Sequence, residues 1–123
     1  MSEKSLIYLA EDERLGANIA KFRLEKEGFE VRLFENGEGV VEAAAEERPA
    51  AIILDVMMPV LDGYATLRKL RERAETKDIP AIMLTARNRE EDFMRAQEFG
   101  VSGFVTKPFS PQELISTVRE AIE

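Results

Sequence analysis

The run Ala50-Ala51-Ile52-Ile53-Leu54-Asp55-Val56 decides the fold. An unbroken apolar run cannot alternate between a wet and a dry face. Residues 50–56 therefore read as a strand buried on both sides and ending at a carboxylate. Four further short segments share its character: Leu6–Ala10 and Glu30–Phe34 before it, Ala81–Thr85 and Gly103–Thr106 after it. Stretches with helical spacing lie between them. Leu15, Ile19 and Phe22 recur at i, i+4 and i+7 in a helix that Gly28 should stop, with Arg14, Ala17, Asn18 and Lys21 on its exposed face. Val40, Val41, Ala44 and Ala45 mark a second helix, and Leu67, Leu70 and Ala74 a third. A thin apolar face (Phe93, Met94, Ala96) marks a weakly docked helix over 88–99. The last helix is the best signposted: Ser110 as N-cap, Pro111 in the first position and Glu113 completing a capping box.

Strands alternating with helices through short connections predict an α/β fold, a parallel sheet covered on both faces. Right-handed crossovers place every strand's carboxyl end on one edge, where such sheets bind their ligands. The residues at those ends are polar: Glu11 and Asp12, Asp55, Thr85 and Lys107. Carboxylates converging on one crevice repel unless a cation joins them. An oxygen-only donor set suits Mg²⁺ or Mn²⁺. With a lysine and a hydroxyl beside it, such a site can neutralise a phosphoryl group while a carboxylate attacks phosphorus.

Composition narrows the chemistry from the other side. The 123 residues fit one domain, 1–123, and include no His, Cys or Trp. Imidazole bases, thiolate nucleophiles, zinc–thiolate sites and disulfides are thereby excluded. The net charge of −7, with acids interspersed among the basic residues, argues against direct nucleic-acid binding. No apolar run approaches a membrane span. Glu11-Asp12-Glu13 follows the first strand directly and no signal-peptide pattern precedes it, so a cytoplasmic location is expected.

The motif Asp55-Val56-Met57-Met58-Pro59-Val60-Leu61-Asp62-Gly63, together with Glu11-Asp12, Thr85-Ala86 and Lys107-Pro108-Phe109, resembles the receiver domain of two-component response regulators across essentially the whole chain. The resemblance implies a flavodoxin-like (βα)5 three-layer sandwich with strand order 2-1-3-4-5. It also implies that Asp55 accepts a phosphoryl group from a phosphohistidine on a sensor histidine kinase or phosphotransfer protein. Glu11, Asp12, Asp55 and the Met57 carbonyl would hold Mg²⁺, with Glu11 standing where many relatives carry Asp. Lys107 would pair with the acyl phosphate, and Thr85 and Phe104 would form the switch. Met57 and Arg87 match the positions that tune hydrolysis of the phosphate.

A downstream effector would meet the face formed by the fourth helix, fifth strand and last helix. The charged ladder through which winged-helix relatives dimerise is missing, because Ser102-Gly103 and Thr117 stand in its places; a monomer, or a weak dimer through another surface, is expected. Such a protein modifies only itself and is not a turnover enzyme. Two readings compete. A pseudo-receiver would keep the fold as a phosphorylation-independent interaction module. A haloacid-dehalogenase-type phosphatase would need a second acid two residues after the nucleophile, where this chain has Met57.

Overall fold

The computed structural model describes residues 4–56, 62–85, 94, 97–98, 100–107 and 110–123. Strands β1 (Leu6–Ala10), β2 (Glu30–Phe34), β3 (Ala51–Asp55), β4 (Ala81–Thr85) and β5 (Gly103–Thr106) form one sheet in the order β2-β1-β3-β4-β5. Every neighbouring pair is parallel, and Ile53 is in register with Leu9 of β1 and Ile82 of β4. The described helices are α1 (Arg14–Lys26), α2 (Glu38–Glu47), α3 (Gly63–Arg71) and α4 (Pro111–Ile122). The expected helix over 88–99 falls mostly outside the described residues; Met94, Gln97 and Glu98 are helical.

Side chains of successive strand residues point to opposite faces, so the sheet has two separate cores. Tyr8, Ala10, Ile52, Leu54 and Met83 pack against Val40, Val41 and Ala44 of α2 and Tyr64, Leu67 and Leu70 of α3. Ile7, Leu9, Ile53, Leu84 and Val105 pack against Ala17, Ala20 and Leu24 of α1 and Leu114, Ile115 and Val118 of α4. Strands β3 and β4, central in the order, are buried at every residue, as their apolar sequences require.

The helix ends follow local chemistry. Gly28 has a φ of 96°, a left-handed conformation that costs glycine little, and terminates α1. Asp62 caps α3 by accepting from the Ala65 N–H at 2.8 Å, and Ser110 caps α4 by accepting from the Glu113 N–H at 3.1 Å. Helix α3 stops at Arg71, short of the expected Ala74, which is exposed. There the Thr76 hydroxyl takes the Leu70 carbonyl at 2.6 Å, and Arg71 donates to the carbonyls of Lys77 and Ile79.

Helix α1 corrects the sequence reading of its faces. Ala17, placed on the exposed side, is buried with Ala20 and Leu24. Leu15, Ile19 and Phe22 instead face solvent, with 71%, 52% and 61% of their surface exposed. The helix turns its small residues to the sheet and its large ones outward.

Candidate functional site

The carboxyl edge of the sheet gathers three of the expected side chains. Lys107 Nζ lies 2.6 Å from Asp55 Oδ2 and 2.8 Å from Glu11 Oε1. Strand parity explains the meeting. Glu11, Asp55 and Lys107 each lie two residues beyond a residue of the α1/α4-side core (Leu9, Ile53 and Val105), so all three belong to that face. The backbone around each is pinned by bonds that extend the strand ladders. The Glu11 N–H donates to the Phe34 carbonyl at 3.0 Å, the Val56 N–H to Leu84 at 2.8 Å and the Lys107 N–H to Thr85 at 2.6 Å.

The acids are deeply placed: Glu11 is 5% exposed and Asp55 4%. Burial pushes the Glu11 carboxyl above its ordinary range, opposed by the Lys107 ammonium and reinforced by the negative charges of Asp55 and Glu13. Burial alone would lower the Lys107 ammonium, but its hydrogen bonds to Asp55 and Glu11 outweigh that and hold it above its ordinary value. Glu11 Oε2 is buried and has no hydrogen-bond partner among the described residues, which is costly for an anionic oxygen.

Asp12 stands exposed at the rim. Among the described residues no three acidic groups are gathered closely enough to hold an ion. The expected convergence is therefore seen in part: two carboxylates meet, and the cation joining them is a lysine. The donor set nonetheless fits a hard divalent ion, being all oxygen and including the orphaned Glu11 Oε2. Met57 and Arg87 lie outside the described residues.

The two switch residues lie on the opposite face. Thr85 is fully buried at the end of β4, and Phe104 is half-buried against the α2/α3-side core, in register with Met83 two residues before Thr85. Thr85 is joined to the charged cluster through its own carbonyl, which accepts the Lys107 N–H.

Sequence reading missed Gly16 at the site. A β-carbon at Gly16 would stand 3.3 Å from Glu11 Oε1 and 3.1 Å from Glu13 Oε1, so the glycine leaves room for both side chains. The signal was available as three consecutive acids followed closely by a helical glycine.

Comparison with known proteins agrees with this architecture. The family model of the response regulator receiver domain matches residues 7–119. The receiver domain of a sensor histidine kinase from Pseudomonas aeruginosa PAO1 is 30% identical, with a TM-score of 0.89 over 98% of both chains; its structure has a magnesium ion coordinated in the active site cleft. A putative response regulator from Chloroflexus aurantiacus J-10-fl is also 30% identical, with a TM-score of 0.92 over 98% of both chains. The signal receiver domain of a signal transduction histidine kinase from Syntrophus aciditrophicus is 35% identical, with a TM-score of 0.87 over 96% of this chain and 89% of its own. With its parallel 2-1-3-4-5 sheet and a lysine bridging two acids at the carboxyl edge, the chain belongs to the response regulator receiver domain family.

Proposed function

We propose that the whole chain, 1–123, is a phosphoacceptor receiver domain that takes a phosphoryl group from a kinase or phosphotransfer phosphohistidine onto Asp55. The observation carrying this reading is the Lys107 ammonium held between Glu11 and Asp55 at the ligand-binding edge of the sheet. An Asp55 oxygen bonds to phosphorus as the phosphorus–nitrogen bond breaks, and the electron pair returns to the donor imidazole. Lys107 offers its remaining donor capacity to the phosphoryl oxygens, and the buried setting strengthens that attraction. Glu11, Asp12, Asp55 and the Met57 carbonyl would hold Mg²⁺, or Mn²⁺; bound there, the ion supplies positive charge that offsets the phosphoryl oxygens. The protein modifies itself and is not a turnover enzyme.

Signal output follows from the second face. The phosphoryl group draws the Thr85 hydroxyl inward and Phe104 follows, biasing an existing equilibrium of the surface that meets an effector. On that surface Ser102, Gly103 and Thr117 stand where a charged ladder would need acids and an arginine. A β-carbon at Gly103 would lie 2.4 Å from Thr117 Cγ2, so α4 sits directly on β5, and the Thr117 hydroxyl donates to the Glu113 carbonyl in its own helix. The reading includes a monomer, or a weak dimer through another surface, even when phosphorylated; sedimentation showing a tight phosphorylation-dependent dimer through this face would contradict it. The reading includes a cytoplasmic signalling role; among the described residues no helix is long and apolar enough to cross a membrane.

Intact mass after incubation with acetyl phosphate or a phosphohistidine donor tests the reading. One phosphoryl group should be gained with Mg²⁺, none without it and none in Asp55→Asn. Undiminished acid-stable phosphate in Asp55→Asn would reject Asp55, and no gain from either donor would favour the pseudo-receiver. Met57 cannot orient water and Arg87 cannot accept its proton. Met57→Asn, alone or with Arg87→Glu, should therefore release phosphate about ten- to a hundredfold faster.

A further inference from the structure

We propose that Glu11 makes Lys107 an internal counter-cation, so that Lys107 must release Glu11 before that carboxylate can serve a divalent ion. The inference rests on the metal-dependent reading above and adds a competition within the site. A glutamate carboxylate reaches roughly one carbon–carbon bond, about 1.5 Å, further than an aspartate from the same backbone position. Here that reach ends at Lys107 Nζ, 2.8 Å from Glu11 Oε1, while the same ammonium holds Asp55 Oδ2 at 2.6 Å. Space for the longer arm exists because residue 16 is glycine; a β-carbon there would press on Glu11 Oε1 at 3.3 Å.

The two oxygens of Glu11 are unequal. Oε1 is committed to Lys107, whereas Oε2 is buried and without a hydrogen-bond partner among the described residues. A carboxylate shared in this way gives a divalent ion at most half of its charge until the ammonium moves. Two cations of like sign cannot occupy adjacent positions on one buried carboxylate without strong repulsion. Binding therefore exchanges one cation for another. By linkage, anything that holds Lys107 on Glu11 weakens the divalent ion, and the ion loosens Lys107 by the same factor. The same repulsion loosens the ammonium from Asp55 Oδ2, so that it turns to the phosphoryl oxygens as they arrive beside it. Exchange at Glu11 thus turns Lys107 from a structural ion pair into a phosphoryl ligand, and couples metal loading to readiness for transfer.

A double-mutant cycle on the whole chain tests the competition without any activity readout. Mg²⁺ affinity is measured by titration calorimetry for wild type, Glu11→Asp, Lys107→Met and the double variant, each confirmed as folded by circular dichroism. Glu11→Asp, too short to hold Lys107, should tighten Mg²⁺ by roughly fivefold or more in the wild-type background and by less than about twofold beside Lys107→Met. Equal factors in both backgrounds would mean that residue 11 acts only as a ligand, and would overturn the inference. No binding in any of the four proteins would remove the metal reading itself, and the inference with it. A wild-type measurement avoids dependence on the variants. The Lys107 ammonium ¹⁵N resonance should shift in step with Mg²⁺ saturation and its protons should exchange faster; a resonance unmoved at saturation overturns the exchange.

Discussion

A β-carbon on Gly63 would stand 2.5 Å from the carbonyl oxygen of Asp55 and 3.0 Å from its carbonyl carbon. The first residue of α3 is thus pressed against the backbone of the proposed phosphoacceptor, and the Gly63 N–H donates to the Val56 carbonyl at 3.1 Å across the same junction. Backbone atoms cannot swing aside as a side chain can. Gly63→Ala should force β3 and α3 apart and cost about 1–3 kcal/mol in stability. Because the strain falls on Asp55, phosphoryl transfer from acetyl phosphate should slow as well. Urea unfolding together with intact-mass kinetics measures both; a variant with wild-type stability would mean that the helix start shifts freely.

The outward stripe of α1 predicts where the phosphodonor sits. The helix begins just past Glu11, Asp12 and Glu13, so a partner reaching Asp55 over the carboxyl edge meets Leu15, Ile19 and Phe22. Arg14, Lys21, Arg23 and Lys26 flank the stripe; Arg14 pairs with Glu35 at 2.9 Å and Lys21 with Glu25 at 3.9 Å, while Arg23 and Lys26 add positive charge to the rim of this helix on an acidic protein. The matching surface is an apolar helical face edged by acids. Ile19→Asp removes apolar contact and adds like charge to that edge. It should slow transfer from a phosphohistidine protein by about tenfold or more while leaving modification by acetyl phosphate unchanged. Equal slowing with both donors would place the effect in the site rather than in docking.

The strands and the site were legible for the same reason. Ile52-Ile53-Leu54 is apolar without alternation because both faces are covered, and a carboxylate at the end of such a run has few structural uses. Lys107 and Glu11 could be assigned to one edge by topology, but their contact needed coordinates, since it depends on side-chain reach and on the space left by Gly16. The face of α1 was misread because hydrophobic periodicity follows large side chains. Close packing against the sheet instead selected Ala17 and Ala20, and the large residues went outward. The polar cluster around Tyr8 left only a faint trace, one tyrosine in an apolar strand, because its partners come from distant segments.

That cluster supplies a pH-dependent prediction. The Tyr8 ring is fully buried and its hydroxyl donates to Glu47 Oε1, which also accepts from Arg32 at 2.6 Å. The Arg32 guanidinium lies 5.0 Å from the centre of the Phe34 ring, and Phe34 packs on Tyr8 with ring centres 4.7 Å apart. The cluster ties β1, β2 and the end of α2 together. Burial first, and then the Glu47 bond and charge, hold the Tyr8 hydroxyl well above its ordinary value of 10.0. A raised value means that the stabilisation is complete below pH 10.0 and is lost as pH rises further, when the unfolded tyrosine ionises first. Glu47 behaves oppositely. The Tyr8 and Arg32 hydrogen bonds hold its carboxyl below the ordinary 4.5, so its contribution is present above that pH and lost as pH falls through the lowered value. Tyr8→Phe should melt a few degrees lower than wild type near neutrality. The gap should be widest between about pH 5 and pH 10 and narrow on both sides. Lys107 also loses its favourable contribution at high pH, but in both proteins, so it cancels from the difference. Thermal melts of the pair from pH 4 to pH 11 decide the matter: a gap independent of pH would reduce Tyr8 to a packing residue whose hydroxyl contributes nothing.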